Sequence, residues 1–225
     1  MYNYRTMSPL ERRRVVEARR AKRQPWHAPP HWTLEGSDIF LVSSSCYEHV
    51  PIIGKSPERM IECEEGLLAV WQASPNQVSA WCILPNHYHA LVKSQSIKQL
   101  CEQIGKFHSS FKWNGEDDSR GRQVWYRCFD RAIRNERHLW ASVNYVHNNP
   151  VHHGYVEKWT DWPRSSAADF LERVGRQEAL RIWREYPILD YGKKWDVLAL
   201  TTIALPGFHS RAKDSYVRIP SLLPA

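Results

Sequence analysis

Cysteine is scarce in this chain and poorly arranged for cross-linking. Cys46, Cys63, Cys82, Cys101 and Cys128 are odd in number, and no two of them stand in C-x-x-C spacing. That pattern argues against a disulfide framework or a zinc ribbon. Four of the five fall inside periodic apolar segments, so they read as small core residues in a reducing cytoplasm. A run of 18 apolar residues is also missing, and with it a candidate membrane-spanning helix. The N-terminus has no apolar signal-peptide core, and no internal repeat is visible. These absences together point to a soluble cytoplasmic protein without a membrane partner.

Acidic residues are the minority charge. Against 31 Lys and Arg there are 24 Asp and Glu, a formal net charge of +7 with a pI near 9.2. An excess of that sign points to an anionic partner, most often nucleic acid. It is concentrated in residues 1–37, where Arg5, Arg12, Arg13, Arg14, Arg19, Arg20, Lys22 and Arg23 face only Glu11, Glu17 and Glu35, a net of +5. A basic arm is often only a solvated tail; here Arg12, Arg13 and Arg14 are candidates for contact with DNA phosphate.

At 225 residues the chain is long enough for one domain with a substantial core plus extensions. Ser8-Pro9-Leu10-Glu11 has capping-box spacing and starts a short basic helix, which Pro25, Pro29 and Pro30 end. The run Ile39–Ser45 reads as a first strand. Ser56-Pro57-Glu58 opens a helix with Met60, Ile61, Leu67, Leu68 and Trp71 at helical spacing. Residues 78–84 and 87–92 read as two strands joined at Pro85-Asn86. A further helix starts at Ser96 with the stripe Ile97, Leu100, Ile104, Phe107 and Phe111.

A charged loop, residues 115–121, then leads to a fourth strand expected over 124–129. Asn135 caps the next helix, with Pro150 as its stop. One more helix is expected through Phe170, Leu171, Val174, Leu180 and Trp183, and the last 35 residues or so are weakly patterned. The order β-α-β-β-α-β-α predicts an α+β fold, an antiparallel sheet backed by helices on one face. The expected domains are a basic N-terminal arm (1–37), a catalytic domain (38–166) and a C-terminal helical extension (167–225).

Two short segments carry the chemistry. In Pro85-Asn86-His87-Tyr88-His89 the strand period sends both imidazoles to one side and Tyr88 to the other, which makes His87 and His89 a candidate metal-binding pair. Paired strand histidines are more often structural; their turn and the helix that follows in sequence favour ligation here. In Tyr145-Val146-His147-Asn148-Asn149-Pro150 the tyrosine and the amide at i+4 share a helix face. The apolar stripe of this helix is Leu139, Val143 and Val146, whereas Tyr145 lies with His138, Ser142 and Asn149, off the expected core side.

A phenol of ordinary pKa, about 10, is a weak nucleophile, but it yields a phosphotyrosine that conserves bond energy for rejoining. A divalent cation polarises the phosphate, and two imidazoles with one amide oxygen suit Mg²⁺ or Mn²⁺. Tyr145 is therefore the candidate nucleophile, and His87, His89 and Asn149 are the candidate metal ligands. Asn-Asn-Pro is also an ordinary helix stop, so Asn149 carries less weight. Tyr155 is a rival nucleophile, set beside a turn at Gly154. His147, His152 and His153 are open between solvated positions and phosphate contacts. Arg127, Arg131 and Arg134 flank the fourth strand as candidate DNA contacts. Of the eleven Trp and ten Tyr, Trp71 and Trp140 are expected in the core, and others are available to stack on unpaired bases.

These segments, with the stretch from Trp125 to Asn135, residues 145–156 and Asp161-Trp162-Pro163-Arg164-Ser165-Ser166, resemble the single-tyrosine HUH nucleases. More closely, they resemble the REP-associated tyrosine transposases. The resemblance covers roughly residues 38 to 166. Tyr88 departs from it at the usually aliphatic middle position, as do the basic arm and the C-terminal extension. It implies a ferredoxin-like HUH fold and metal-dependent cleavage and joining of single-stranded DNA, with a 5′-phosphotyrosine and a free 3′-hydroxyl as products. It further implies a REP-type hairpin partner recognised by shape and by a short guide tetranucleotide, a monomeric protein, and a location at the nucleoid. Two other readings remain open: a hairpin-binding protein that does not cleave, and a small metallohydrolase in which His87 and His89 hold zinc and water attacks.

Overall fold

The structure, a computed structural model, describes residues 8–21, 38–111 and 123–188. The linker prolines, the charged loop 115–121 and the weakly patterned tail lie outside the described residues. Helix α1 (Pro9–Ala21) starts with the expected capping box: the Ser8 amide donates to Glu11 Oε2 at 2.7 Å and the Glu11 amide to Ser8 Oγ at 3.3 Å.

Strands β1 (Ile39–Ser45), β2 (Gln77–Leu84), β3 (His87–Lys93) and β4 (Phe129–Ala132) form one antiparallel sheet in the order β2-β3-β1-β4. Pro85 and Asn86 are the only residues between β2 and β3, so the hairpin fixes Leu84 opposite His87. On its other side, β3 places Ser45 opposite His87 and Ser43 opposite His89. One face of the sheet therefore carries His87, His89 and Ser43, and the other carries Tyr88 and Ser44.

The Tyr88 face is covered by α2 (Pro57–Trp71) and α3 (Ile97–Ser110), and a further helix covers the opposite face, so helices flank the sheet on both sides rather than on the one expected. Ser56 and Ser96 cap them, accepting from the Arg59 and Gln99 amides. Their stripes bury Met60, Leu67 and Trp71 from one helix and Ile97, Leu100 and Ile104 from the other, whereas Ile61 turns to solvent. A fully buried side chain of this size contributes about 1.5–3 kcal/mol.

Helix α4 (Glu136–His152) lies over the opposite, histidine-bearing face, capped by the Asn135 side chain accepting from the His138 amide at 2.8 Å. Pro150 does not stop it, contrary to the sequence expectation. A proline in the last turn forfeits one backbone hydrogen bond, and the helix continues to His152. The stop is Gly154, at φ +72: its amide donates to Val151 O at 3.0 Å and the Tyr155 amide donates to Pro150 O at 2.9 Å, the paired bonds of a Schellman cap.

Two further elements differ from expectation. The fourth strand is Phe129–Ala132 rather than 124–129; among the described residues upstream, an isolated bridge from Trp125 to Cys46 is formed instead. That bridge is offset by one residue from the β1–β4 ladder, so the pairing cannot run through without interruption. The expected helix after residue 166 is two helices, α5 (Ala167–Val174) and α6 (Arg176–Glu185), broken at Gly175 with φ +80. Phe170, Ala179 and Ile182 from this pair join the main core.

Residues 162–166 strap the free edge of β2. The Ile83 amide donates to Arg164 O, the Ser166 amide donates to Trp81 O, and Trp162 Nε1 donates to Ile83 O. The strap also ties the two layers together. Arg164 reaches the buried Glu64 of α2 at 2.6 Å, and Ser166 Oγ meets His147 Nε2 of α4 at 3.0 Å. Burial raises the Glu64 pKa, and Arg164 partly offsets that rise. Because Glu64 is buried, removing its partner should be costly, about 3–5 kcal/mol.

Candidate active site

The four residues singled out from sequence converge. Tyr145 Oη lies 3.2 Å from His89 Nε2, and Asn149 Oδ1 lies 3.0 Å from His87 Nε2. The i, i+4 spacing on α4 thus matches the i, i+2 spacing on β3, tyrosine against one imidazole and amide against the other. Tyr145 is 4% exposed and Asn149 1% exposed. The expectation that Tyr145 lies off the core side is therefore corrected. The stripe of Ser142, Tyr145 and Asn149 faces the sheet, and α4 is buried almost all round because α6 and the strap pack on its other sides. Asn144, for example, donates to Tyr186 O at 2.8 Å.

The outer nitrogens of both rings are held as well. His87 Nδ1 is 2.7 Å from Asn86 Oδ1, and the amide orientation of Asn86 is set by its Nδ2 donating to His49 O at 3.1 Å. His89 Nδ1 is 2.7 Å from Ser43 Oγ. With Asn86 offering an acceptor, the proton of a neutral His87 ring sits on Nδ1, and Nε2 presents a lone pair to α4. The Tyr145 hydroxyl donating to His89 Nε2 assigns His89 the same tautomer. His87 Nε2 and Asn149 Oδ1 are then two acceptors face to face, while the buried Asn149 Nδ2 has no hydrogen-bond partner. Backbone supports the turn from below: the Gly54 amide donates to Pro85 O, and the Cys46 amide to Asn86 O.

Sequence reasoning missed the part played by two neighbours and left a third, His153, open. Ser43 and Asn86 orient the imidazoles; the three consecutive serines inside an otherwise apolar strand were a visible signal for Ser43. His153 packs its ring edge-on to His87, with centroids 4.8 Å apart. His147 is instead tied into the strap and stacked on Trp159, and burial with nearby Arg173 lowers its pKa to about 3. Tyr155, the rival nucleophile, packs its ring against Trp162 at 5.3 Å, and burial raises its pKa.

Of the candidate DNA contacts, Arg131 lies opposite Leu41 and so on the histidine face. Arg131 and Arg134 both lower the pKa of His138, in the first turn of α4, after the larger effect of burial. Arg127 and Arg134 are exposed, as are Arg13 and Arg14 on α1; the side chain of Arg12 lies outside the described residues. Cys46, Cys63 and Cys82 are buried, and all five cysteines are free thiols. Among the described residues no cluster of three or more His, Cys, Asp or Glu is placed to hold a metal, and no helix is long and apolar enough to cross a membrane.

No protein-family model matches the chain. A putative REP-associated tyrosine transposase of Haemophilus influenzae is 33% identical over 41% of this chain and 59% of its own length. The REP-associated tyrosine transposase of Escherichia coli K12 is 30% identical, over 44% of this chain and again 59% of its own. The chain thus spans about three fifths of the curated relatives it matches. The solved structure of a REP-associated tyrosine transposase bound to a REP hairpin superposes with a TM-score of 0.51 at 21% identity, over 64% of this chain and 84% of that one. In sequence and in fold, the chain is similar to the REP-associated tyrosine transposases that its histidine and tyrosine segments resemble.

Proposed function

We propose that this protein is a metal-dependent tyrosine strand transferase acting on single-stranded or hairpin DNA of the REP type. The observation that carries the reading is the double pairing across the sheet–helix interface, Tyr145 Oη on His89 Nε2 and Asn149 Oδ1 on His87 Nε2. The names of the relatives and of the hairpin-bound neighbour support the substrate class.

The donor set fits a divalent cation. Two imidazole nitrogens and one amide oxygen are a donor set that would suit a hard divalent cation, with His87 Nε2 and Asn149 Oδ1 3.0 Å apart. A cation there would also relieve the apposition of two acceptors. His87, His89 and Asn149 would hold it, with Asn86 and Ser43 fixing the ring tautomers from behind. Bound Mg²⁺ or Mn²⁺ supplies Lewis-acid polarisation of the scissile phosphate.

The Tyr145 oxygen attacks phosphorus, forming the Oη–P bond as the P–O3′ bond breaks. The 3′-oxygen leaves as a hydroxyl, so that, net, the phenol proton ends on the leaving group. His89 holds the Tyr145 hydroxyl before reaction, and α4 keeps phenol and amide one turn apart. Arg131 on β4 and Arg134, just ahead of the Asn135 cap, would draw the phosphate backbone towards the start of the same helix.

Incubating the protein with Mn²⁺ and end-labelled single-stranded hairpins on a denaturing gel tests the reading. A covalent protein–DNA band is expected. Binding without a band would make the protein a hairpin binder, and cutting without a band would make it a water-using metallohydrolase.

A further inference from the structure

Directly after β1, residues Tyr47–His49 form a tight 3-10 turn in which Glu48 and His49 adopt φ +52 and +55. Left-handed backbone at two successive non-glycine residues is uncommon and persists only where surrounding contacts impose it. Here the Tyr47 amide donates to Val124 O at 2.7 Å, the His49 amide to Cys46 O at 3.0 Å, and the Tyr126 hydroxyl to Glu48 Oε1 at 2.9 Å. The result is an aromatic cluster: the Tyr47 and Tyr126 rings lie 5.2 Å apart at 42°, with His49 at 6.5 Å from Tyr126. Tyr47 is 38% exposed.

The cluster adjoins the end of the sheet that carries His87: the Tyr126 amide donates to Ser45 O at 2.9 Å, and Ser45 pairs with His87 on β3. It is also wired to the candidate site, because the His49 carbonyl accepts from Asn86 Nδ2 while Asn86 Oδ1 meets His87 Nδ1.

We propose that Tyr47 and Tyr126 form a stacking site for one unpaired base of the single-stranded DNA next to the scissile phosphate. The inference rests on the strand-transferase reading and adds a base contact to it. Exposed aromatic faces are the general means of holding unpaired bases, whatever their identity. The Glu48 carboxylate, which accepts from the Tyr126 hydroxyl, repels a phosphate and so favours a base over the backbone here, and the exposed Arg127 follows Tyr126 in the chain.

The test is equilibrium binding of the full chain, in EDTA so that no cleavage intervenes. The probes are a labelled thymidine strand of about 20 nucleotides and an abasic deoxyribose-phosphate strand of the same length. The parent should prefer the thymidine strand. Tyr47→Ala and Tyr126→Ala should each weaken that strand by about 5- to 150-fold, leave the abasic strand unchanged, and so erase the preference. Tyr47→Trp should retain it. An undiminished preference in both alanine variants overturns the stacking site and leaves the transferase reading standing. Equal weakening on both strands also overturns it, because the contact is then to the backbone. A parent that binds neither strand removes this site and the DNA reading together, whereas a missing covalent adduct with normal stacking removes only the transferase.

Discussion

β3 carries a tyrosine–histidine pair on each of its faces, and the two pairs are nearly superposable in chemistry. On one face Tyr88 Oη meets His108 Nε2 at 3.0 Å; on the other, Tyr145 Oη meets His89 Nε2 at 3.2 Å. Their surroundings differ. Tyr88 is fully buried among Trp71, His108 and Trp125, and burial raises its pKa well above the ordinary value while it lowers that of His108 to about 4. The other polar neighbours of Tyr88 there are the Ser44 hydroxyl and the thiols of Cys63, Cys101 and Cys128. The imidazole that Tyr145 touches is held by Ser43 and packs against His87, which Asn149 and Asn86 hold in turn. A tyrosine–histidine hydrogen bond is therefore no mark of function in itself; the second imidazole and the amides beside it are.

The largest expected effect separates the two tyrosines. Tyr145→Phe removes the attacking atom and should abolish the covalent adduct, at a stability cost of about 1–3 kcal/mol for the lost hydrogen bond to a buried imidazole. Tyr88→Phe should leave the adduct intact and cost about 1–3 kcal/mol, because His108 Nε2 is left buried without its partner. Denaturing gels and urea melts of both variants check this, and an adduct retained in Tyr145→Phe or lost in a folded Tyr88→Phe breaks the comparison.

Next in size are the ligands. His87→Ala or His89→Ala should slow cleavage by about 10²- to 10³-fold and abolish most Mn²⁺ binding by calorimetry, with the fold kept. Tyr145→Phe should bind Mn²⁺ as tightly as the parent or up to about tenfold better, since the phenol no longer competes for the His89 lone pair. Weaker Mn²⁺ binding in Tyr145→Phe would contradict that competition.

A separate effect, on stability rather than cleavage, should follow from acid. His108 and His147 sit on opposite sides of the sheet with pKa values lowered to about 4 and about 3, mainly by burial. Both stay neutral in the fold while the unfolded chain takes up protons below about pH 6.5. Stability should thus be full above that pH and fall as pH drops towards 4 and then 3, by about 1.4 kcal/mol per pH unit for each histidine. His147→Gln should flatten part of the slope; thermal melts from pH 7 to 4 that do not shift would contradict the burial of these rings.

The smallest effect concerns the basic arm. Deleting residues 1–37 should weaken DNA binding and flatten its salt dependence by about 0.7 in log–log slope per lost phosphate contact, with the sheet domain still folded. An unchanged slope would leave Arg12, Arg13 and Arg14 as solvated charge.

Much of this was legible in the sequence because it depends on local periodicity. The caps at Ser8, Ser56, Ser96 and Asn135 and the first three strands follow from nearest-neighbour chemistry, and so does the co-facing of His87 with His89. What was not legible depends on pairing across the chain. The one-residue offset at Trp125 and the shortness of β4 are set by β1, far away in sequence. The burial of Tyr145 could not be read from α4 alone, because polar residues lie on its sheet-facing stripe and the strap at Ser166 covers its other flank. Pro150 and Gly175 were misjudged for a local reason: a terminal-turn proline costs little, and a lone glycine at positive φ breaks a helix that periodicity would continue.

The most direct test of the central claim is to map the covalent linkage. Protein trapped with Mn²⁺ and a hairpin strand would be digested with protease and nuclease and sequenced by mass spectrometry. A nucleotide on the peptide containing Tyr145, through its phenolic oxygen and a 5′-phosphate, is the predicted result. A nucleotide on Tyr155 or Tyr88, or cleaved DNA with no modified tyrosine at all, would contradict it.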